Sequence, residues 1–150
     1  MIEPVLLEVS VVVLGIFLLM AEAFGLKEKK TLASWAIGGL VAVFIATFLI
    51  GPNAPGFEAS GFYVMDGLAL FFKRFLILST ILVLVMSVDY LPIVQRLVPG
   101  EKTGAGSGEF FILPVFTCAG LMWMASATDF IMIFCALELV TISFYIQVAY

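Results

Sequence analysis

Residues 130–148 read FIMIFCALELVTISFYIQV, an unbroken apolar stretch in which Glu138 is the single charged side chain. A helix of this length is about long enough to cross the roughly 30 Å hydrocarbon core of a bilayer. Lipid offers no hydrogen bonds to the backbone, so a continuous apolar run favours a helix, which satisfies its own backbone groups, over a strand. The stretch therefore predicts a transmembrane helix that carries a carboxylate near its centre.

Four further apolar runs of similar length come before this stretch, and glycine, proline or charged residues separate them. We predict five transmembrane helices in a single transmembrane domain of residues 1–150, with the third helix ending before Asp89 and Pro92. The alternating apolar and polar pattern of barrel strands is absent from the sequence. The predicted fold class is therefore all-α, a polytopic transmembrane helical bundle with helices at about 5–24, 32–50, 68–88, 110–127 and 130–148.

The composition supports this fold class and excludes several functions. Hydrophobic residues make up 63% of the chain and charged residues 12%, with a mean hydropathy of +1.21. Soluble chains carry about 25% charged residues, so this surface is too apolar for water. The seven basic residues are scattered and form no nucleic-acid patch, and no histidine is present to build a haem or zinc site. Cys118 and Cys135 lie in apolar runs and are interpreted as small core residues.

The connections between the runs predict an orientation and two helix caps. Basic residues occur in the first and third connections and are absent from the second and fourth, so the positive-inside rule places the first and third in the cytoplasm and the N-terminus outside. Asp66 and Asp129 each precede an apolar run, where a carboxylate commonly accepts a hydrogen bond from a free helical N–H. The basic residues of the first and third connections are Lys27, Lys29, Lys30, Arg96 and Lys102.

Glu138 is the strongest candidate for a functional residue. A charge at mid-bilayer costs a few kcal/mol, and such residues usually face the bundle interior, a partner charge or water. Helical spacing places Thr141 and Tyr145 on the same face, which makes a narrow polar stripe. One interpretation is a carboxylate that carries or couples protons, and the alternative is a structural carboxylate that hydrogen-bonds another helix.

The remaining charged residues inside the apolar runs are weaker candidates. Lys73 either reaches an interface or faces the bundle, and it is a second, weaker candidate for ion conduction. Arg74 lies about 100° further around the helix, so the two side chains cannot share a face, and one of them is expected to point at a partner subunit, a lipid headgroup or water. Glu8 and Glu22 lie near helix ends and are expected at the membrane interface.

Four segments of the chain carry a resemblance to a known family. They are LMAEAFG at 19–25, MDGLALFFKRF at 65–75, GEFFILPVFTCAGLMWMASATDFIMIF at 108–134 and ALELVTISFYIQVAY at 136–150. Together they resemble the antiporter-like subunit N of NADH-quinone oxidoreductase, the respiratory complex I, closely over residues 60–150 and loosely before them. The resemblance implies the N-terminal part of a larger antiporter-like fold, so we expect a truncated or split form of a longer subunit.

The resemblance also implies a function. In that family a glutamate on helix five pairs with a lysine on helix seven, within a chain of buried charges through which protons move. Glu138 matches the glutamate, and the matching lysine would lie beyond Tyr150. Where the family often has Ser-Leu-Pro, this sequence has Thr-Ile-Ser at 141–143.

The implied protein is a membrane-arm subunit of a proton-pumping enzyme complex in a bacterial inner membrane or its organellar equivalent. It holds no cofactor itself, since flavin and iron–sulfur clusters belong to other subunits. Its partners are other membrane-arm subunits and the lipid bilayer.

Two alternatives stay open at the level of sequence. A subunit of a multi-subunit cation/proton antiporter or of a membrane-bound hydrogenase would use a helix-five glutamate in the same way, and the partner subunits would distinguish it. A structural membrane subunit that conducts nothing would hold Glu138 through neutral hydrogen bonds.

Overall fold

The regular structure of this chain is helical. A computed structural model describes residues 4–24, 29–51, 61–97 and 108–149, and every regular element in those ranges is an α-helix. The all-α prediction is therefore confirmed. The helices are α1 (Val5–Ala23), α2 (Lys29–Leu49), α3 (Gly67–Leu97), α4 (Glu109–Ser126) and α5 (Phe130–Ala149).

The helix ends differ most from expectation at α3. This helix continues through Asp89 and Pro92 to Leu97, whereas the apolar run predicts an end at Val88. Proline removes one backbone hydrogen bond, here the one to the carbonyl of Val88, and the residues on either side continue the helix. The apolar stretch of α3 includes Gly67–Tyr90.

Four of the described helices are long and apolar enough to cross a membrane, and the chain is an integral membrane protein. The fifth helix, α2, is 21 residues long, but its apolar stretch, Lys30–Ala46, is shorter than those of the other four, so length and composition support four of the five predicted spans. Two lysines at its start and a pair of glycines in its middle lower its hydropathy. The four spans are Val5–Ala23, Gly67–Tyr90, Glu109–Ser126 and Phe130–Val148.

The first four helices pack as a ring, and α5 lies outside it. Each helix from α1 to α4 contacts its neighbours in sequence, α4 closes the ring against α1, and α5 packs on α4. Accordingly 56% of the spanning stretch of α4 is buried, against 17% of that of α5. Gly120 permits the close approach of α4 and α5, because a Cβ there would lie 2.8 Å from Cγ2 of Val140 and 3.1 Å from the carbonyl oxygen of Ala136.

Both predicted helix caps are confirmed. Oδ1 of Asp66 accepts a hydrogen bond of 2.7 Å from the backbone N–H of Ala69, and Oδ1 of Asp129 accepts one of 2.8 Å from that of Ile131. The cysteine prediction is right for Cys118, which is buried, and wrong for Cys135, which is exposed and lines an open surface cavity together with Trp123 of α4.

The orientation rests on residues that lie largely outside the described ranges. Lys27 and Lys102 are outside them, and only the backbone of Lys29 and Arg96 is described. The outside location of the N-terminus therefore stays a prediction.

Candidate functional site

Lys73 is completely buried inside the helix ring and is paired with a carboxylate. Its side chain and that of Glu8 both have an exposed fraction of 0%, and Nζ of Lys73 forms a salt bridge with Oε1 of Glu8. Nζ also donates to the hydroxyl of Tyr63 at 2.9 Å and to Sδ of Met65 at 3.0 Å. The Tyr63 hydroxyl in turn donates to Oε1 of Glu8 at 3.0 Å. Ammonium, hydroxyl and carboxylate therefore form a closed triangle of hydrogen bonds.

The pair joins two helices that are not neighbours in the ring. Glu8 belongs to α1 and Lys73 to α3, and these helices lie diagonally opposite, since each contacts α2 and α4. Glu8 is the fourth residue of α1, and Lys73 is the seventh of α3. At a rise of about 1.5 Å per residue, both side chains lie at similar depth from the helix ends that they share. The two opposite charges meet at the centre of the ring.

An extended segment covers this pair from above. In residues 61–66, Tyr63 and Met65 point into the bundle with exposed fractions of 2% and 1%, while the other four residues are exposed. The segment is held by the turn between α4 and α5. The N–H of Val64 donates to the carbonyl of Ser126 at 2.9 Å, and that of Thr128 donates to the carbonyl of Phe62 at 3.1 Å. Tyr63 is thereby fixed above the pair by backbone pairing with the helical hairpin.

The electrostatics of the cluster follow from its burial. Burial first, and the negative charge of Glu8 second, raise the pKa of the Tyr63 hydroxyl well above its usual range, so this group stays protonated. Oε2 of Glu8 is buried and has no hydrogen-bond partner among the described residues. A carboxylate oxygen that leaves water normally gains hydrogen bonds in exchange, so this unpaired atom is a distinctive feature of the site.

The interfacial location expected for Glu8 stays a prediction, because burial by protein does not fix its depth in the membrane. Its position near a helix end suggested exposure, but the ring buries it completely against Lys73. A signal was present in the sequence. Odd-numbered helices of a hairpin bundle start on the same side, so Glu8 and Lys73, at similar distances from two such starts, carry complementary charges at matching depth.

Arg74 has a partly exposed side chain that is hydrogen-bonded to α2. Its Nη2 donates to the carbonyl of Thr47 at 2.9 Å, and its Nε donates to Oγ1 of the same residue at 3.3 Å. Its guanidinium carbon also lies 4.4 Å from the centre of the Phe48 ring. Thr47 lies in the last turn of α2, where helical carbonyls lack partners and a cation is favourable.

Glu138 lies apart from this cluster, on the outward face of α5. The residues that α5 buries are Ala136, Val140 and Ser143, which contact the rest of the bundle on the opposite side. Glu138 is exposed and is the ninth residue of α5, close to the middle of the span. Tyr145, on the same face, is 75% exposed. The two candidate residues of the sequence, Glu138 and Lys73, are thus not brought together.

The described residues contain no group of three His, Cys, Asp or Glu side chains that could hold a metal ion. The buried cluster itself consists of a carboxylate, an amine and a phenol, groups that pair charges and exchange protons.

Comparison with known proteins finds homologues of this chain. No family model matches the chain. Among curated relatives, NADH-quinone oxidoreductase subunit N of Magnetococcus marinus is 32% identical over 142 residues, which cover 95% of this chain and 28% of the relative. The chain is a homologue of NADH-quinone oxidoreductase subunit N. The subunit N proteins of Heliobacterium modesticaldum and Rhodospirillum rubrum are 34% and 32% identical, over 95% and 98% of this chain and 29% of each relative.

The family resemblance predicted from the sequence is thereby confirmed. The chain spans less than a third of the length of these subunit N relatives. The match covers both the ring with the Glu8–Lys73 pair and the helix that carries Glu138.

Proposed function

We propose that this chain acts as a membrane-arm subunit of a proton-pumping NADH-quinone oxidoreductase and takes part in proton translocation through Glu138. The observation that carries the proposal is a carboxylate at the middle of an apolar helix, in a chain homologous to subunit N along nearly its whole length. Redox chemistry is assigned to other subunits, which hold flavin and iron–sulfur clusters. The partners are other membrane-arm subunits and lipid.

The position of Glu138 at mid-helix supports the proposal that the outward face of α5 is covered by protein or water in the assembled complex. A mid-membrane carboxylate that pointed into acyl chains would cost a few kcal/mol or more, and one that is paired avoids this cost. In the described part of the chain the outward face of α5 has no helix packed on it. We propose that this face receives a lysine from a further part of the subunit or from another chain, and that the pair relays protons.

The orientation is part of the same proposal. The basic residues of the first and third connections support a cytoplasmic location for those connections. The N-terminus, the Glu8–Lys73 pair and the turn between α4 and α5 then lie towards the outer side of a bacterial inner membrane or its organellar equivalent.

The proposal is tested by Glu138→Gln, which keeps the shape and removes the titratable group. The assembled complex should still form, because a neutral amide is cheaper to bury than a carboxylate. Proton pumping should fall, and quinone-reductase turnover should fall with it if the two are coupled. Glu138→Asp should be milder because the charge survives. A carboxylate that only hydrogen-bonds a neighbour predicts near-normal pumping in Glu138→Gln, and this result would end the proton-carrier role.

A further inference from the structure

We propose that Glu8, Lys73 and Tyr63 form a second proton-binding site of this subunit, distinct from Glu138, at the end of the ring where α1 and α3 begin. The inference rests on the proposed role in proton translocation and adds a site to it. It starts from the closed triangle of hydrogen bonds among the carboxylate and ammonium of the ring and the phenol of the segment that covers them.

The burial of the pair makes its proton mobile. In water an ammonium and a carboxylate both stay charged by a wide margin, but removal of both from water penalises both charges. A proton that moves from Nζ of Lys73 to Oε1 of Glu8 breaks an N–H bond, forms an O–H bond and leaves two neutral groups. The charged and neutral forms of the pair are therefore much closer in free energy here than at an exposed site.

Tyr63 offers a second route for the same proton. Its hydroxyl accepts from Lys73 at 2.9 Å and donates to Glu8 at 3.0 Å. A proton can pass from nitrogen to the phenol oxygen while the phenol proton passes to the carboxylate, so that Tyr63 ends as it began. The raised pKa of Tyr63 is consistent with a relay that stays neutral overall.

Glu8 also has the capacity to take up a proton from outside. Its Oε2 is buried without a hydrogen-bond partner among the described residues, while Oε1 is shared by Lys73 and Tyr63. A proton added at Oε2 forms an O–H bond and neutralises the carboxylate. The pair then has a net charge of +1, which is that of the Lys73 ammonium. A purely static ion pair has no need of this free oxygen, whereas a proton-binding carboxylate uses it.

The surroundings limit which other groups act on the site. Asp66 lies close enough to influence Lys73 through space, and the guanidinium of Arg74 turns to α2. The charged residues of α2 and α4 lie at the opposite ends of those helices. Among the described residues, Asp66 is thus the acidic side chain nearest in influence to the cluster of Glu8, Lys73 and Tyr63.

The site also has a physical link to α5. The segment that carries Tyr63 is hydrogen-bonded to the turn before α5, through Val64 to Ser126 and through Thr128 to Phe62. Glu138 lies on the same helix, ten residues beyond Thr128. The backbone hydrogen bonds of this segment therefore connect the Glu8–Lys73 pair, through Tyr63, to the start of the helix that carries Glu138.

The first test is proton pumping by the assembled complex in sealed vesicles. Glu8→Gln combined with Lys73→Met removes both charges together, so no unpaired charge is left to prevent folding. We expect normal assembly and a fall in pumping of about a hundredfold, the lower end of the contribution typical of a positioned acid or base. A static ion pair predicts normal assembly with normal pumping, and this result would overturn the inference.

The second test does not use the double variant, so it can be made whether or not that variant assembles. Infrared difference spectra of the complex, recorded as the pH is lowered, should contain a carboxylic-acid carbonyl band that shifts in Tyr63→Phe and stays in place in Tyr90→Phe, an exposed control on α3. Identical spectra for wild type and Tyr63→Phe would overturn the inference.

Glu138→Gln in the same preparation separates the two proposals. If Glu138→Gln loses pumping and the double variant of Glu8 and Lys73 does not, the proposal of a second proton-binding site is wrong and the role of Glu138 stands. If neither variant loses pumping, both proposals fail.

Discussion

Replacement of Lys73 by methionine leaves the carboxylate of Glu8 unpaired at the centre of the ring. Both side chains have an exposed fraction of 0%, so solvent does not screen the change. Loss of one partner of a buried ion pair destabilises proteins by about 3–5 kcal/mol. Each 1.36 kcal/mol changes an equilibrium constant about tenfold, so the fraction of bundles that are open should rise by a factor of about two hundred to several thousand.

Cys118 provides the assay because it is buried in the ring and reacts only when the bundle opens. We expect its labelling rate by a membrane-permeant maleimide, measured by mass spectrometry of the purified complex, to rise by that factor in Lys73→Met. Lys30→Met, which loses the same charge at an exposed position, is the matched control and should label at the wild-type rate.

Addition of Glu8→Gln to Lys73→Met should reverse most of the increase in the labelling rate of Cys118, since a neutral pair leaves no buried charge. The reasoning is refuted if Lys73→Met labels as slowly as Lys30→Met, or if the double variant labels faster than the single one.

Three further predictions follow from the packing and the proposed orientation. Gly120→Leu should destabilise the α4–α5 contact by about 1–3 kcal/mol through overpacking and speed Cys118 labelling, whereas Gly38→Leu, with no atom within 4 Å of its Cβ position, should not. Arg74→Gln should cost about 1–2 kcal/mol through its lost hydrogen bonds to α2, with Arg74→Lys intermediate in the same assay. A cysteine introduced at Gly61 should react with an impermeant reagent from the outer side, and reaction from the cytoplasmic side would contradict the orientation.

The helical architecture could be predicted because it depends on local properties of the chain. Apolar run length sets where a helix can cross a membrane, and the aspartates before α3 and α5 cap those helices through residues two or three positions away. The extension of α3 beyond Val88 was missed because a proline lowers the stability of a helix without always ending it.

The candidate site was only partly predictable because it depends on contacts between distant segments. Periodicity places Glu138, Thr141 and Tyr145 on one face, but the direction of that face depends on which helices pack against α5. The partnership of Glu8 with Lys73 depends on the diagonal placement of α1 and α3, which no local pattern in either helix records.

The role of Glu138 is tested most directly by the number of protons moved per electron in sealed vesicles that contain correctly assembled complex. Glu138→Gln is compared with wild type and with Glu109→Gln, which makes the same change at an exposed position at the start of α4. The proposed function predicts fewer protons per electron in Glu138→Gln alone. An unchanged ratio in Glu138→Gln would contradict it.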